Sequence, residues 1–115
     1  MPIHSIGPDA AEEAARHQAL FREVNEHIAK LTGLNPATGY SLFICECSDT
    51  HCAESLELTP AEYRAVRSKG TSFLLLPGHQ QEGIERVVDG NSRFLVVEKL
   101  GRAATIAQAD DPRAA

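Results

Sequence analysis

The stretch YSLFICECSDTHC, residues 40–52, decides how this chain folds. Tyr40 to Cys47 alternates: Phe43, Cys45 and Cys47 fall on one side, Leu42 and Ile44 on the other. A period of two is what a strand produces. The cysteines follow a Cys-x-Cys-x4-Cys pattern. Cys45 and Cys47, two positions apart, leave the strand on the same side. A tight loop over Ser48–His51 then returns Cys52 toward them.

Three converging thiolates repel one another unless a cation sits among them. Zinc removes that cost and bonds strongly to soft sulfur. A structural zinc takes four ligands. The expected fourth is His79, which follows Pro77 and Gly78 in a turn that can aim and hold its ring. His51, beside Cys52, is the competitor, although ligation by chain neighbours demands a tighter backbone. The expected set is therefore Cys45, Cys47, Cys52 and His79 around a structural zinc. Such a set fills the tetrahedron and leaves no position for a substrate water. A thiol switch, with Cys45 or Cys47 pairing with Cys52 on oxidation, is the alternative, and three ordinary buried cysteines are the plain reading. A small metalloenzyme with Glu82 or Glu85 as base is a further alternative. Arg64, Arg67 and Lys69 are candidates to face the sulfurs, or else form a solvated face.

Upstream, residues 1–8 read as an irregular lead-in. Asp9 with Glu12 three residues on resembles a capping box, opening a helix over 9–32. Ala10, Ala14, His17, Phe21, Val24, Ile28 and Leu31 recur at alternating steps of four and three, a heptad seam. That seam is expected to pack on the chain's own sheet or to pair with a partner or second copy. Glu12–Arg16 and Glu26–Lys30 are favourable i,i+4 pairs, and Gly33 ends the helix. Residues 34–39 form a turn-rich connector.

Downstream, Ser55–Leu58 is a short extended piece with Leu56 and Leu58 on one side. Thr59, Pro60 and Glu62 open a second helix over about 60–69, with Tyr63 and Val66 inward and Gly70 as its stop. Thr71–Leu76, Ile84–Val88 and Phe94–Leu100 read as strands, with Asp89–Arg93 as a hairpin loop. Residues 101–109 fit a strand or a short helix, and 110–115 a frayed tail.

At 115 residues the chain is one domain, 9–109. The apolar share of 43% suffices for a core, and with no Trp that core is mainly aliphatic. No apolar run approaches the roughly 20 residues of a membrane span, and no basic region precedes an apolar stretch, so a cytoplasmic protein without a signal peptide is expected. The net charge is −5. Residues 1–63 carry three basic and ten acidic side chains. That half disfavours nucleic acid and suits a basic protein partner or plain solubility. No phosphate-binding loop, zinc-protease helix or nucleophile elbow is present.

Residues 21–26 (FREVNE), 43–47 (FICEC) with Cys52, 58–63 (LTPAEY) with Val66 and Arg67, Pro77-Gly78-His79, 85–88 (ERVV), 96–99 (VVEK) and Asp111-Pro112-Arg113 are similar to a group of small bacterial proteins that carry no assigned activity. The resemblance covers most of 20–100. It implies bacterial, cytoplasmic placement and no reaction, cofactor or partner. The combined expectation is an α+β domain: a long N-terminal helix, a small, mainly antiparallel sheet and one short helix. Its function is expected to be non-enzymatic, interaction or regulation through the acidic helix 9–32, with no membrane, nucleic-acid or small-molecule partner.

Overall fold

A computed structural model describes residues 8–33, 39–109 and 111. The fold is α+β. Helix α1, Pro8–Gly33, is followed by strands β1, Ser41–Ile44, and β2, Ser55–Leu58. Helix α2, Pro60–Val66, leads to β3, Ser72–Leu75. Strands β4, Glu85–Gly90, and β5, Leu95–Lys99, precede a final helix α3, Gly101–Ala109. The segment that the sequence left between strand and helix is thus a helix.

Two antiparallel sheets result. β1 pairs with β2, Phe43 opposite Leu56. β5 lies between β3 and β4. A bulge at Val88 shifts the β4–β5 register, and β4 runs on through Gly90. The turn is therefore shorter than the expected loop: Asn91 Oδ1 accepts from the N–H groups of Arg93 and Phe94 at 2.7 and 3.1 Å.

Glu46 joins the two sheets through its main chain and its side chain. Glu46 donates its N–H to Leu74 O at 2.7 Å, and its carboxylate accepts the Leu74 N–H at 2.9 Å. Glu46 thereby satisfies both backbone groups of Leu74 on the open side of β3. The neighbouring Cys45 N–H donates to Glu54 O at 2.8 Å, continuing the β1–β2 pairing.

The core is aliphatic with one aromatic stack, Phe43 on Tyr63 at 4.8 Å between centroids. Phe43, Leu56, Leu58, Tyr63 and Val66 are buried on the sides read as inward, and β3 is buried on both faces through Phe73, Leu74 and Leu75, with Val97 of β5 beside it. α2 carries the expected capping box: Thr59 Oγ1 accepts the Glu62 N–H at 3.1 Å, and Glu62 accepts the Thr59 N–H at 2.9 Å. The helix ends at Val66 rather than 69.

α1 meets the rest of the molecule along a face one residue on from the expected seam. Gln18, Arg22, Asn25 and Ala29 are buried. Phe21, Val24 and Ile28 are only partly so, and Leu31 is 71% exposed. Three of the four inward side chains are polar because they face backbone and charge, not a greasy sheet. Asn25 Nδ2 donates to Ile44 O, and Asn25 Oδ1 accepts the Ile44 N–H, both at 2.8 Å. Gln18 Nε2 donates to Glu46 O at 3.0 Å. These bonds serve the edge of β1 as a further strand would.

The expected frayed tail is corrected at Asp111, which is docked. Its Oδ1 lies 3.1 Å from Arg22 Nη2 and accepts a short hydrogen bond from Arg67. Gly70 makes room for that carboxylate, since an added Cβ would stand 2.6 Å from Asp111 Oδ2. Glu26 Oε2 accepts from Arg67 Nε at 2.9 Å. The expected lead-in 1–7, connector 34–38 and other tail residues, 110 and 112–115, lie outside the described residues. So do the side chains of Asp9, Ala10 and Glu12.

Candidate metal centre

Cys45 and Cys47 are held because the segment that carries them is clasped from two sides. Asn25 and Gln18 grip the backbone at Ile44 and Glu46, while Leu74 binds Glu46 through main chain and side chain. The Glu46 carboxylate lies fully buried on the other side of the strand. It also accepts from Asn25 Nδ2 at 2.8 Å and from Tyr63 Oη at 2.6 Å. Burial pushes the Glu46 carboxyl up from its ordinary range, and these donors oppose the push. The Tyr63 phenol is driven up as well, by burial and by the adjacent carboxylate.

Cys52 returns through a turn in which its N–H donates to Asp49 O at 3.0 Å. Asp49 Oδ1 accepts the His51 N–H at 2.9 Å. This Asx turn throws the His51 ring outward, 94% exposed. His51 is therefore not a member of the cluster.

His79 arrives from the opposite sheet. Leu76-Pro77-Gly78-His79 is a type II turn: Gly78 has φ +92°, and the His79 N–H donates to Leu76 O at 3.0 Å. Proline pre-sets the first corner and glycine takes the left-handed second one. The turn fixes the imidazole at the end of β3, 29% exposed, facing the three sulfurs.

His79 Nδ1 lies 3.6 Å from Cys45 Sγ and 3.7 Å from Cys52 Sγ. The ligand atoms of Cys45, Cys47, Cys52 and His79 all lie within 4.8 Å of one another. With zinc–sulfur bonds of about 2.3 Å and zinc–nitrogen bonds of about 2.0–2.1 Å, adjacent corners of a tetrahedron stand roughly 3.5–3.8 Å apart. The two sulfur–nitrogen distances lie on that edge length. The three cysteines are buried and unpaired by disulfides.

Surrounding groups suit bound thiolates. The Leu76 N–H points at Cys45 Sγ from 3.3 Å, and the Asp49 backbone bonds Cys47. Burial pushes the Cys45 and Cys47 thiols up, and their mutual proximity adds to the push on Cys45. A soft dication at the centre reverses that penalty. The outer ring nitrogen, His79 Nε2, lies 3.8 Å from Glu54 Oε2. A carboxylate behind a ligating histidine is a recurrent orienting device.

Of the cations expected to face the sulfurs or form a solvated face, Arg64 and Lys69 are in solvent and Arg67 is interior. Arg64 is exposed, Arg67 is buried with Glu26 and Asp111, and Lys69 lies 4.0 Å from Glu98. Backbone N–H groups take their role. Glu85 is bound by Lys99 Nζ at 2.6 Å and by the Gln81 N–H at 2.6 Å, while Glu82 is exposed. Neither belongs to the cluster. Among the described residues, no helix is long and apolar enough to cross a membrane. Comparison with protein-family models, curated proteins and solved structures finds no match.

Proposed function

We propose that Cys45, Cys47, Cys52 and His79 bind one structural zinc, and that the chain is a non-enzymatic, zinc-stapled interaction or regulatory protein. The observation that carries the metal assignment is the convergence of four ligand atoms within 4.8 Å, at tetrahedral edge lengths where sulfur meets nitrogen. Three thiolates and an imidazole select a soft or borderline dication over magnesium or calcium. Four protein ligands close the coordination shell, which favours a staple over a hydrolytic centre. Three reduced cysteines in one short segment fit a reducing compartment, so the reading places the protein in the cytoplasm.

The partner surface in this reading is the outward face of α1. Leu20, Val24, His27 and Leu31 follow one another at steps of four, three and four, so they form one stripe. Leu20 is 55% exposed and Leu31 71%. With Glu13 and Glu23 exposed on the same helix, this stripe suits an apolar partner helix bearing basic flanks.

Purified protein, dialysed against metal-free buffer at neutral pH, is expected to retain about one zinc per chain by elemental analysis. Cys47→Ser and His79→Ala are expected to retain little or none. Zinc-free wild-type protein with undiminished stability would overturn the assignment. The thiol-switch alternative makes a different prediction: a disulfide within residues 45–52 after mild peroxide, with release of metal.

A further inference from the structure

The stripe of Leu20, Val24, His27 and Leu31 stands on the far side of α1 from Gln18, Arg22, Asn25 and Ala29, the face that packs on the molecule. Leu20, His27 and Leu31 are exposed and Val24 is half-buried. The steps of four, three and four make the stripe a short coiled-coil seam.

Its two flanks differ. One carries Arg16, Glu23 and Lys30, spaced by seven and all exposed. None of the three is taken up in an ion pair among the described residues. The other flank carries Phe21 and Ile28, also spaced by seven and both half-buried. This asymmetry selects an orientation for a helix laid on the seam. Two parallel copies of α1 would set each charged flank against the other's apolar flank. Two antiparallel copies bring like flanks together, charge facing charge and apolar facing apolar.

The same residues select a register. With Leu20 seated on Leu31 of a second copy, Val24 meets that copy's His27, and a two-fold axis generates four core layers. Glu23 then stands opposite Lys30 of the second copy, and Lys30 opposite its Glu23. Sliding by one heptad, so that Leu20 meets Val24 of the second copy, sets Glu23 against Glu23 and Arg16 against Lys30. Sliding by a heptad the other way sets Lys30 against Lys30 and leaves Leu20 uncovered. A two-heptad slide brings Glu13 into the seam and leaves Leu31 uncovered. Like charges facing one another disfavour the wrong registers, as the leucines and the opposite charges favour the right one.

We propose that the partner of this face is a second copy of the chain, bound as an antiparallel, two-fold helix pair with Leu20 on Leu31 and Glu23 on Lys30. The proposal rests on the reading of this face as the contact surface and names its occupant.

Four layers make a short interface, at the weak and transient end for protein pairs. Sedimentation equilibrium of the full-length protein is therefore expected to show a monomer–dimer equilibrium with a dissociation constant on the order of 10–100 μM. Leu31→Glu, which places a charge in the seam, is expected to weaken it by at least about tenfold. Lys30→Glu and Glu23→Lys are each expected to weaken it severalfold, and the two together to restore it. All these positions face solvent in the single chain, so circular dichroism should show each variant folded. Carbodiimide coupling in a mixture of isotope-labelled and unlabelled protein is expected to join Glu23 of one copy to Lys30 of the other, read by mass spectrometry. A wild-type protein that stays monomeric at millimolar concentration would overturn the self-pairing and leave the face to a different protein. A dimer that Leu31→Glu leaves intact would overturn both the proposal and the reading of this face as the contact surface. A dimer in which the double charge exchange restores nothing, or whose crosslinks join other positions, would overturn the antiparallel register.

Discussion

Asn25 and Glu46 are the two side chains on which the interior depends most. Asn25 satisfies both backbone groups of Ile44 and one oxygen of Glu46. Glu46 in turn satisfies Leu74 and Tyr63. Asn25→Leu leaves several buried polar groups without partners, so a loss of at least about 2 kcal/mol is expected by urea denaturation. Leu31→Ala, on the opposite side of the same helix, is expected to change stability by less than about 0.5 kcal/mol. The reverse order would mean that the helix packs along the apolar seam instead. The members of the cluster were legible in sequence because cysteine density and the Pro-Gly-His turn are local signals. Glu46 was not. A glutamate between two cysteines on a strand reads as an outward, solvated residue, and only the return of α1, α2 and β3 around it makes it interior.

At the scale of elements, α2 is defined by its N-terminus. Thr59→Ala is expected to cost about 1 kcal/mol, the usual worth of such a cap. Glu62 closes the box and also pairs with Arg93 at 2.8 Å. The Arg93 hydrogen bonds hold its carboxyl below the ordinary value. A depressed folded pKa contributes stability above the unfolded value, near 4.3, and loses it as pH falls through the folded value. Wild-type protein should therefore lose stability below about pH 4 more steeply than Glu62→Gln, whose acid limb lacks this contribution. Superimposable pH profiles would show that Glu62 has no such role. Caps, alternation and turn residues made most elements readable. The phase of α1 escaped because hydrophobic periodicity sees apolar side chains only. Here the inward face is Gln18, Arg22 and Asn25, chosen to bond an edge strand and a carboxylate. α3 escaped because its alanine-rich, uncapped sequence suits a strand edge or a helix until β5 places it against α1.

For the whole molecule, the cluster of Cys45, Cys47, Cys52 and His79 is a junction. It joins the β1–β2 hairpin to the end of β3, beside the point where Glu46 already links the two sheets. α1 holds that junction from outside through Gln18 and Asn25. Removing the ion proposed there should therefore loosen more than its own loop. On chelation, hydrogen exchange is expected to rise first over residues 45–52 and 74–79 and then along α1, with a loss of several kcal/mol in stability. Exchange unchanged in α1 would show that the helix is held independently of the junction.

X-ray absorption at the zinc edge of the purified protein reads the coordination shell itself. The account predicts three sulfur neighbours at about 2.3 Å and one nitrogen at about 2.0–2.1 Å. A shell of oxygens, two sulfurs with open positions, or no bound zinc at all would contradict it.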